Sequence, residues 1–326
     1  MKYVLGLDQG SSKTHAIVTD EAGRVLGMAR SRGVCHSAVS LEAAMDAIEE
    51  AAEEALAQAG ITRQEITCVA AGLTGTDWDF EVKLLENAVR KRLKIDRVHV
   101  VNDCIIAMRA GSDKEVTGVL CVGSGTNCAI RKGDELFVYG FYIPDEAQGG
   151  MCLGHKAVQA VFDAHVGLLP ETVLEGYLLK HFGVETVDQL LYMRATHQID
   201  EREYLTLPIL LEQAAAQGDE VALGIWEEYG KTLAKYVTAR MRLMGLEKEE
   251  IEIVLSGSIF KCRIQTFFDA VTAGIHSYAP HAAVKSAVYE PIVGAALLGL
   301  DNIFGKAPDI VHENLEKSAR HFPIKR

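Results

Sequence analysis

Two segments of the chain repeat one pattern, in which an apolar strand leads through a turn of glycine and hydroxyl residues into a second apolar strand. The first copy covers residues 3–18 and turns at Asp8-Gln-Gly-Ser-Ser-Lys-Thr14. The second copy covers residues 118–130 and turns at Gly123-Ser-Gly-Thr-Asn127. Turns of this composition present backbone N–H groups that suit an anion. Two such turns, about one domain apart, predict a duplicated fold that holds a polyphosphate from two sides.

The turn residues are therefore candidates for phosphate contacts, with hydroxyl and amide donors and one lysine. A plain hairpin turn explains either copy taken alone, and the presence of both copies favours the phosphate interpretation. Asp8 ends a buried strand, where it could hold Mg²⁺ through water, because Mg²⁺ keeps much of its hydration shell. The candidate cofactor contacts are Gly10, Ser11, Ser12, Lys13 and Thr14 in the first turn and Gly123, Ser124, Gly125 and Thr126 in the second.

The order of predicted strands and helices supports a duplicated α/β fold with two domains. Strands at 3–8, 14–20 and 24–31 are followed by a helix at 41–59, and then by strands and helices in alternation. The second half opens in the same way, with strands at 119–122, 128–131 and 136–141, and is mostly helical over 155–245. We predict a first domain over 1–114 and a second over 115–302, with a helical insertion at 155–245. A closing helix within 303–326 would pack back on the first domain.

Composition limits the partners that the chain can have. A formal net charge of −12 disfavours nonspecific binding to nucleic acid or to an anionic membrane, both of which need positive surface. The sequence contains no run of 18 apolar residues and opens directly into a strand, so we expect no membrane span and no signal peptide. The seven cysteines include no Cys-x-x-Cys pair and several lie in apolar runs, which favours a reducing, cytoplasmic location.

Two further strand ends carry candidate functional residues. Asp103 follows the strand at 98–101, and a carboxylate at this end of a strand can accept the proton of an attacking hydroxyl. A helix-capping role for Asp103 is the alternative, and the two roles are compatible. The turn Ser256-Gly257-Ser258 follows the strand at 251–255, where small residues let an adenine or a ribose lie against the backbone. A simple strand-to-helix turn explains this segment almost as well.

Together these motifs resemble the N-acetylglucosamine kinase family and its relatives, the BadF/BadG/BcrA/BcrD-type ATPases. The resemblance rests on the two turns, on Gly72-Leu-Thr-Gly-Thr-Asp77, on Asn102-Asp103-Cys104, on Ser256-Gly257-Ser258 and on Pro291-Ile-Val-Gly-Ala295. It implies duplicated actin-like, ribonuclease H-like ATPase domains, each a mixed five-stranded sheet flanked by helices, around an interdomain cleft.

The resemblance also implies an activity, which is transfer of the γ-phosphate of ATP to a hydroxyl of an amino sugar such as N-acetylglucosamine or of a related hexose. Asp103 would be the general base, Mg²⁺ would bridge the phosphates, and the protein could form a homodimer. The residues that the resemblance places on the sugar side are His36, Thr74, Gly75, Asn127, Asp145 and Glu146.

Two segments depart from the family pattern on the sugar side. Counted back from Gly154, the two family acids fall on Glu146 and Ala147, and His36 stands in the segment that carries an asparagine in the family. These differences concern the identity of the sugar and leave the use of ATP unaffected. They also keep an alternative open, in which the chain is a BadF-type activator or a ligand-sensing ATPase switch without a sugar substrate. The cysteine-bearing turns expected of an iron–sulfur activator are absent from the sequence.

Overall fold

The computed structural model describes residues 1–325, and its first half is built on a five-stranded mixed sheet. Strand order in this sheet is β3-β2-β1-β4-β5, with β1 antiparallel to β2 and parallel to β4. The elements are β1 (Tyr3–Gln9), β2 (Lys13–Asp20), β3 (Val25–Arg32), α1 (Leu41–Ala59), β4 (Ile66–Leu73), α2 (Asp79–Leu93), β5 (Val98–Asn102) and α3 (Asp103–Gly111).

The second half repeats this sheet. Strand order is β8-β7-β6-β9-β10, with β6 antiparallel to β7 and parallel to β9. Its strands are β6 (Val116–Val122), β7 (Thr126–Lys132), β8 (Glu135–Val138), β9 (Glu252–Ser256) and β10 (Ala283–Ser286). The same strand order and the same strand directions occur twice, so the predicted α/β duplicate is confirmed.

Local sequence explains why α1 begins and ends as predicted. The Ser40 side chain accepts a hydrogen bond from the N–H of Ala43, and Gly60 ends the helix with a φ of 65°. A side-chain acceptor at the start and a left-handed glycine at the end satisfy backbone groups that the helix leaves unpaired. The alanine-rich face of α1 packs on the first sheet and closes one side of its core.

The helical region of the second half begins earlier than the sequence suggested. Its first helix is α4 (Gly149–His165), so the last part of the glycine-rich segment at 144–154 is helical and the predicted start at residue 155 is wrong. Glycine disfavours helix by about 1 kcal/mol per residue, so helix propensity did not predict the first turn of α4. The region continues through α5 (Leu174–Phe182), α6 (Val187–Ala195), α7 (Glu201–Tyr204), α8 (Pro208–Ala216) and α9 (Glu220–Leu243).

Strand β8 ends at Val138, three residues before the predicted end at residue 141. A 3-10 helix, Gly140–Tyr142, replaces the end of the predicted strand. Gly140 has a φ of +51°, and a Cβ on it would lie 2.6 Å from Oδ1 of Asp77. The backbone turns here because it approaches a segment of the first half, which no local pattern in the sequence reveals.

The last helices contact the first sheet. After α10 (Gln265–His276) come α11 (Pro291–Phe304) and α12 (Ile310–Ser318). Residues of α11 pack with Val4 and Ile17 of the first sheet, and Val311 of α12 lies against Gly23. The closing helix α12 therefore contacts the first half, and its assignment to the first domain stays a prediction. The division at 114/115 stays a prediction, and α11, placed in the second domain by the predicted bounds, packs on β1 and α3 of the first half. No helix within residues 1–325 has the length and apolar character needed to span a membrane.

Candidate active site

The first glycine-rich turn joins β1 to β2 and is shaped by tight backbone contacts. The N–H of Gly10 donates to the carbonyl of Lys13 at 2.9 Å. Gly33 packs closely against the turn, since a Cβ on Gly33 would lie 2.2 Å from the Lys13 nitrogen. Ser11 and Ser12 lie exposed at the tip. The turn therefore presents its serine groups outward from a rigid base.

Thr14 has a different environment from the residues before it. It is fully buried, its hydroxyl donates to the carbonyl of Arg32 at 2.8 Å, and it accepts from Nε2 of Gln9 at 3.2 Å. The hydroxyl is bonded to partners within the first sheet. Thr14 therefore supports the turn, and its phosphate contact stays a prediction.

The second turn, between β6 and β7, is held by the start of α4. The N–H of Gly150 donates to the carbonyl of Gly123 at 2.8 Å, and the N–H of Gly149 donates to Oγ1 of Thr126 at 2.8 Å. Gln148 accepts from the N–H of Thr126 at 2.8 Å. The glycines of α4 thus serve close packing, because a Cβ on Gly149 would lie 2.4 Å from the Gly123 oxygen.

Tyr229 of α9 completes this support, and no sequence motif had pointed to it. Its hydroxyl lies 2.9 Å from Oγ1 of Thr126 and donates to the carbonyl of Ala147 at 3.2 Å. The Thr126 hydroxyl also accepts from the N–H of Gly149. It is therefore held between two buried neighbours, and its phosphate contact stays a prediction. The outward-facing donors of this turn are centred on Ser124 and Gly125.

The two turns meet across the interdomain cleft. Oγ of Ser12 and Oγ of Ser124 are 3.1 Å apart and form a hydrogen bond, although 112 positions separate them in the chain. Ser258 lies beside the second turn, because its Oγ is 3.8 Å from where a Cβ on Gly123 would be. The three predicted nucleotide segments therefore converge on one place.

The turn at 256–258 depends on a glycine with positive φ. Gly257 has a φ of +98°, and a Cβ there would lie 2.2 Å from the Val122 oxygen. Ser256 is buried, and its hydroxyl has no hydrogen-bond partner within residues 1–325. Ser258 is exposed. The glycine lets this turn pass directly against the end of β6, next to the second glycine-rich turn.

Three carboxylates gather at the ends of the central strands of the first sheet. Asp103 is the first residue of α3, Asp8 lies near the end of β1, and Asp77 follows the end of β4. Burial, together with the charges of Asp8 and Asp77, raises the pKa of Asp103 from 3.8 to about 7. Burial, followed by the charge of Glu81, also raises the pKa of Asp77. A carboxyl group with a pKa near neutrality can exchange a proton under cellular conditions.

A ring of hydrogen bonds joins the two halves next to Asp103. Nδ2 of Asn102 donates to Oδ1 of Asp77 at 2.9 Å, and Nδ2 of Asn127 donates to Oδ1 of Asn102 at 3.2 Å. Oδ1 of Asn127 accepts from the N–H of Gly140 at 3.0 Å. Asn127 was a predicted sugar contact, whereas Asp77 was missed as a site residue. Its signal was an acid four residues after the end of β4, in a segment already noted for its family resemblance.

The remaining predicted sugar residues fall into two groups. Gly75 and His36 are neighbours, since a Cβ on Gly75 would lie 3.3 Å from Cε1 of His36, and Thr74 is bonded to the end of β1 through its N–H. Nε2 of His36 lies 3.3 Å from Oε1 of Glu81, and both side chains are buried. Asp145 and Glu146 instead lie exposed in a 3-10 turn before α4. These two acids stay predictions.

Two surface cavities lie away from this cleft. One, of about 520 Å³, lies between α4 and α9 and includes Lys156, Asp163 and Glu228 in its lining. The other, also about 520 Å³, lies on the back of the molecule beside Arg109 and His312. The cleft is nevertheless the candidate active site, because the charged groups converge there. In this conformation the contact between Ser12 and Ser124 closes the cleft.

The chain matches one family model and several curated relatives along most of its length. The model of the BadF/BadG/BcrA/BcrD ATPase family matches residues 5–299. An N-acetylmuramic acid/N-acetylglucosamine kinase of Clostridium acetobutylicum is 23% identical over 302 residues, covering 91% of this chain and 98% of the relative. An N-acetyl-D-glucosamine kinase of Dictyostelium discoideum is 24% identical over 316 residues, again with shares of 91% and 98%.

A solved structure supports the fold independently. A ROK family glucokinase from Streptomyces griseus, in complex with glucose and AMPPNP, superposes with a TM-score of 0.63 at 20% identity. The match covers 91% of this chain and 99% of that chain. Since the family match extends over most of the sequence, the chain belongs to the BadF/BadG/BcrA/BcrD ATPase family.

Proposed function

We propose that this protein is an ATP-dependent kinase that phosphorylates a hydroxyl of an amino sugar or a related hexose. The observation that carries the proposal is the meeting of Ser12 and Ser124, 3.1 Å apart, in the cleft that also contains Asp103. Two phosphate turns and a carboxyl group with a pKa of about 7 are the parts that phosphoryl transfer needs. The kinase names of the curated relatives support the same activity.

The nucleotide would bind along the second half, with its phosphates between the turns. Ser11, Ser12, Lys13, Ser124 and Gly125 offer the outward donors, and Gly257 lets the adenosine lie close to the backbone. A phosphate oxygen bound by both serine hydroxyls requires them to be roughly 4.5–5 Å apart. The halves would therefore separate by about 2 Å at this edge when ATP binds.

The acceptor would bind on the other side of the turns, against the first half. The Asp103 carboxylate would accept the proton of the attacking hydroxyl as that oxygen bonds to the γ-phosphorus, and ADP would leave with the electron pair of the broken P–O bond. Asp77 and Asn127, already positioned by Asn102, would orient the sugar hydroxyls. Closure of the two halves would exclude water, which limits hydrolysis of ATP.

Mg²⁺ fits this site on the chemistry of its donors. Oxygen ligands are the ones that Mg²⁺ prefers, and the charges of Asp8 and Asp77 act on Asp103, so the three carboxylates concentrate negative charge at this site. Asp8 would hold the ion through water. When bound, Mg²⁺ supplies positive charge that stabilises the phosphate oxygens. Asp8→Asn should raise the Mg²⁺ concentration needed for half-maximal activity, and an unchanged requirement would remove this role.

A coupled assay of ADP release over a panel of hexoses and amino sugars tests the function. We expect sugar-dependent turnover with at least one amino sugar. Asp103→Asn should lower kcat by about 10²–10⁴-fold, which is the usual contribution of a general base. Asp134→Asn, an exposed change in the β7–β8 turn, is the matched control. ATP hydrolysis that no sugar stimulates would contradict the kinase proposal and favour an ATPase switch.

A homodimer and a cytoplasmic location belong to the proposal as well. Val166 and Leu168, exposed by 67% and 74%, are apolar residues of the kind that subunit interfaces cover. Light scattering tests the dimer, and cell fractionation tests the location.

A further inference from the structure

A row of stacked aromatic rings lies at the edge of the cleft. Trp78 stacks on Phe141 with ring centroids 5.3 Å apart and an interplanar angle of 16°. Phe80 stacks on Trp78 at 6.0 Å and 12°. These side chains are far from buried, with exposed fractions of 50% for Trp78, 67% for Phe80 and 68% for Phe141. Clustered exposed aromatics are rare enough on a soluble protein to suggest a function.

The Trp78–Phe141 pair joins the two halves of the molecule. Trp78 directly precedes α2 of the first half, whereas Phe141 lies in the 3-10 helix after β8 of the second half. Phe80, in contrast, belongs to the same segment as Trp78. The stack on Phe141 therefore exists only while the halves are close together, and the stack on Phe80 does not depend on closure.

The pair also lies beside the proposed acceptor groups. Trp78 follows Asp77, and Phe141 follows Gly140, and both of these preceding residues belong to the hydrogen-bonded ring next to Asp103. Asp77 and Gly140 are themselves in close contact across the cleft. Each ring of the pair is thus one residue along the chain from a group that lies next to Asp103, and each is exposed.

We propose that Trp78 and Phe141 form a gate that restricts the acceptor to a single sugar ring. The proposal rests on the proposed kinase function. A sugar ring placed between two aromatic planes needs them about 7–8 Å apart, since each van der Waals contact takes 3.5–4.0 Å. At a centroid distance of 5.3 Å the rings touch and leave no such space. A second sugar ring extending outward from the bound one would meet this pair and hold the cleft open.

The activity of matched variants toward acceptors of different size tests the gate. We compare kcat/KM for a monosaccharide with kcat/KM for a disaccharide of the same sugar, in the wild type and in Phe141→Ala, Trp78→Ala and Phe80→Ala. The first two changes should raise the disaccharide-to-monosaccharide ratio by about tenfold or more. Phe80→Ala removes an equally exposed ring from one half only and should change the ratio less than twofold. An unchanged ratio in both gate variants would overturn the proposal.

Tryptophan fluorescence gives a readout that does not require turnover. The chain has two tryptophans, and Trp226 is buried, so Trp226→Phe leaves Trp78 as the reporter. Phe141→Ala in this background should shift the emission to longer wavelength by exposing the indole, and an unshifted emission would show that the stack is not formed. If no variant phosphorylates any sugar, the kinase function fails and the gate with it. If the wild type phosphorylates a monosaccharide and the ratios do not move, only the gate fails.

Discussion

Replacement of Asp103 by asparagine should make the folded protein more stable above pH 7 while it removes most of the proposed kinase activity. Burial and the charges of Asp8 and Asp77 hold the pKa of Asp103 at about 7 instead of 3.8. A carboxyl group whose pKa is raised on folding binds its proton more tightly in the native state than in the unfolded chain. Its ionisation therefore costs stability as the pH rises from about 4 to about 7.

The size of this effect follows from the two pKa values. They differ by about three, and each unit corresponds to about 1.4 kcal/mol, so ionised Asp103 lowers the free energy of unfolding by at most about 4 kcal/mol. Asparagine has the same shape and no charge to ionise. The variant should therefore gain up to this amount relative to the wild type at pH 8, and little at pH 4, where Asp103 is protonated in the native state and only partly ionised in the unfolded chain.

Urea denaturation of the wild type and Asp103→Asn at pH 4.5 and pH 8, without nucleotide or Mg²⁺, measures the difference directly. The expected result is a gain at pH 8 that is larger than the gain at pH 4.5. Asp134→Asn serves as the control, because Asp134 is exposed and should show no such dependence. Equal differences at the two pH values would refute the argument that Asp103 is kept protonated by burial and neighbouring charge.

Two other changes test how the nucleotide turns are supported. Tyr229→Phe removes the hydroxyl that bonds to Thr126 and Ala147, so it should cost about 1–3 kcal/mol of stability and raise KM for ATP more than KM for the sugar, as measured by thermal unfolding and kinetics. Gly257→Ala forces a Cβ against the backbone at φ +98° and should abolish ATP binding in calorimetry or prevent folding. Gly60→Ala, also at positive φ but with open space around it, should cost only about 1 kcal/mol. Similar behaviour of the two glycine variants would contradict the packing argument.

Most of the fold could be predicted because its signals are local. Alternating apolar strands around a glycine turn predicted both hairpins, and the run rich in Ala, Glu and Leu with a glycine after it predicted α1 to the residue. The predictions went wrong where a distant segment decides the backbone. Gly140 bends away from β8 because Asp77 lies against it, and α4 begins at Gly149 because its first turn packs on the second phosphate turn.

The candidate site, like the fold, could be predicted only in part from the sequence. The residue types in the turns and the position of Asp103 after a strand could be interpreted from sequence alone. The sequence alone could not show which hydroxyls point outward, because this depends on the partners that the fold supplies to Thr14 and Thr126. Tyr229 and Asp77 escaped notice since their roles depend on groups 103 and 25 positions away.

By itself, the sequence determined that one strand–turn–strand unit occurs twice and that each copy is suited to an anion, because apolar alternation and glycine turns act over a few residues. Only the tertiary structure decided that the two serine tips meet, that three carboxylates share one buried corner and that Trp78 stacks on Phe141. These are contacts between segments far apart in the chain, and their energies depend on distances and burial that the order of residues does not contain.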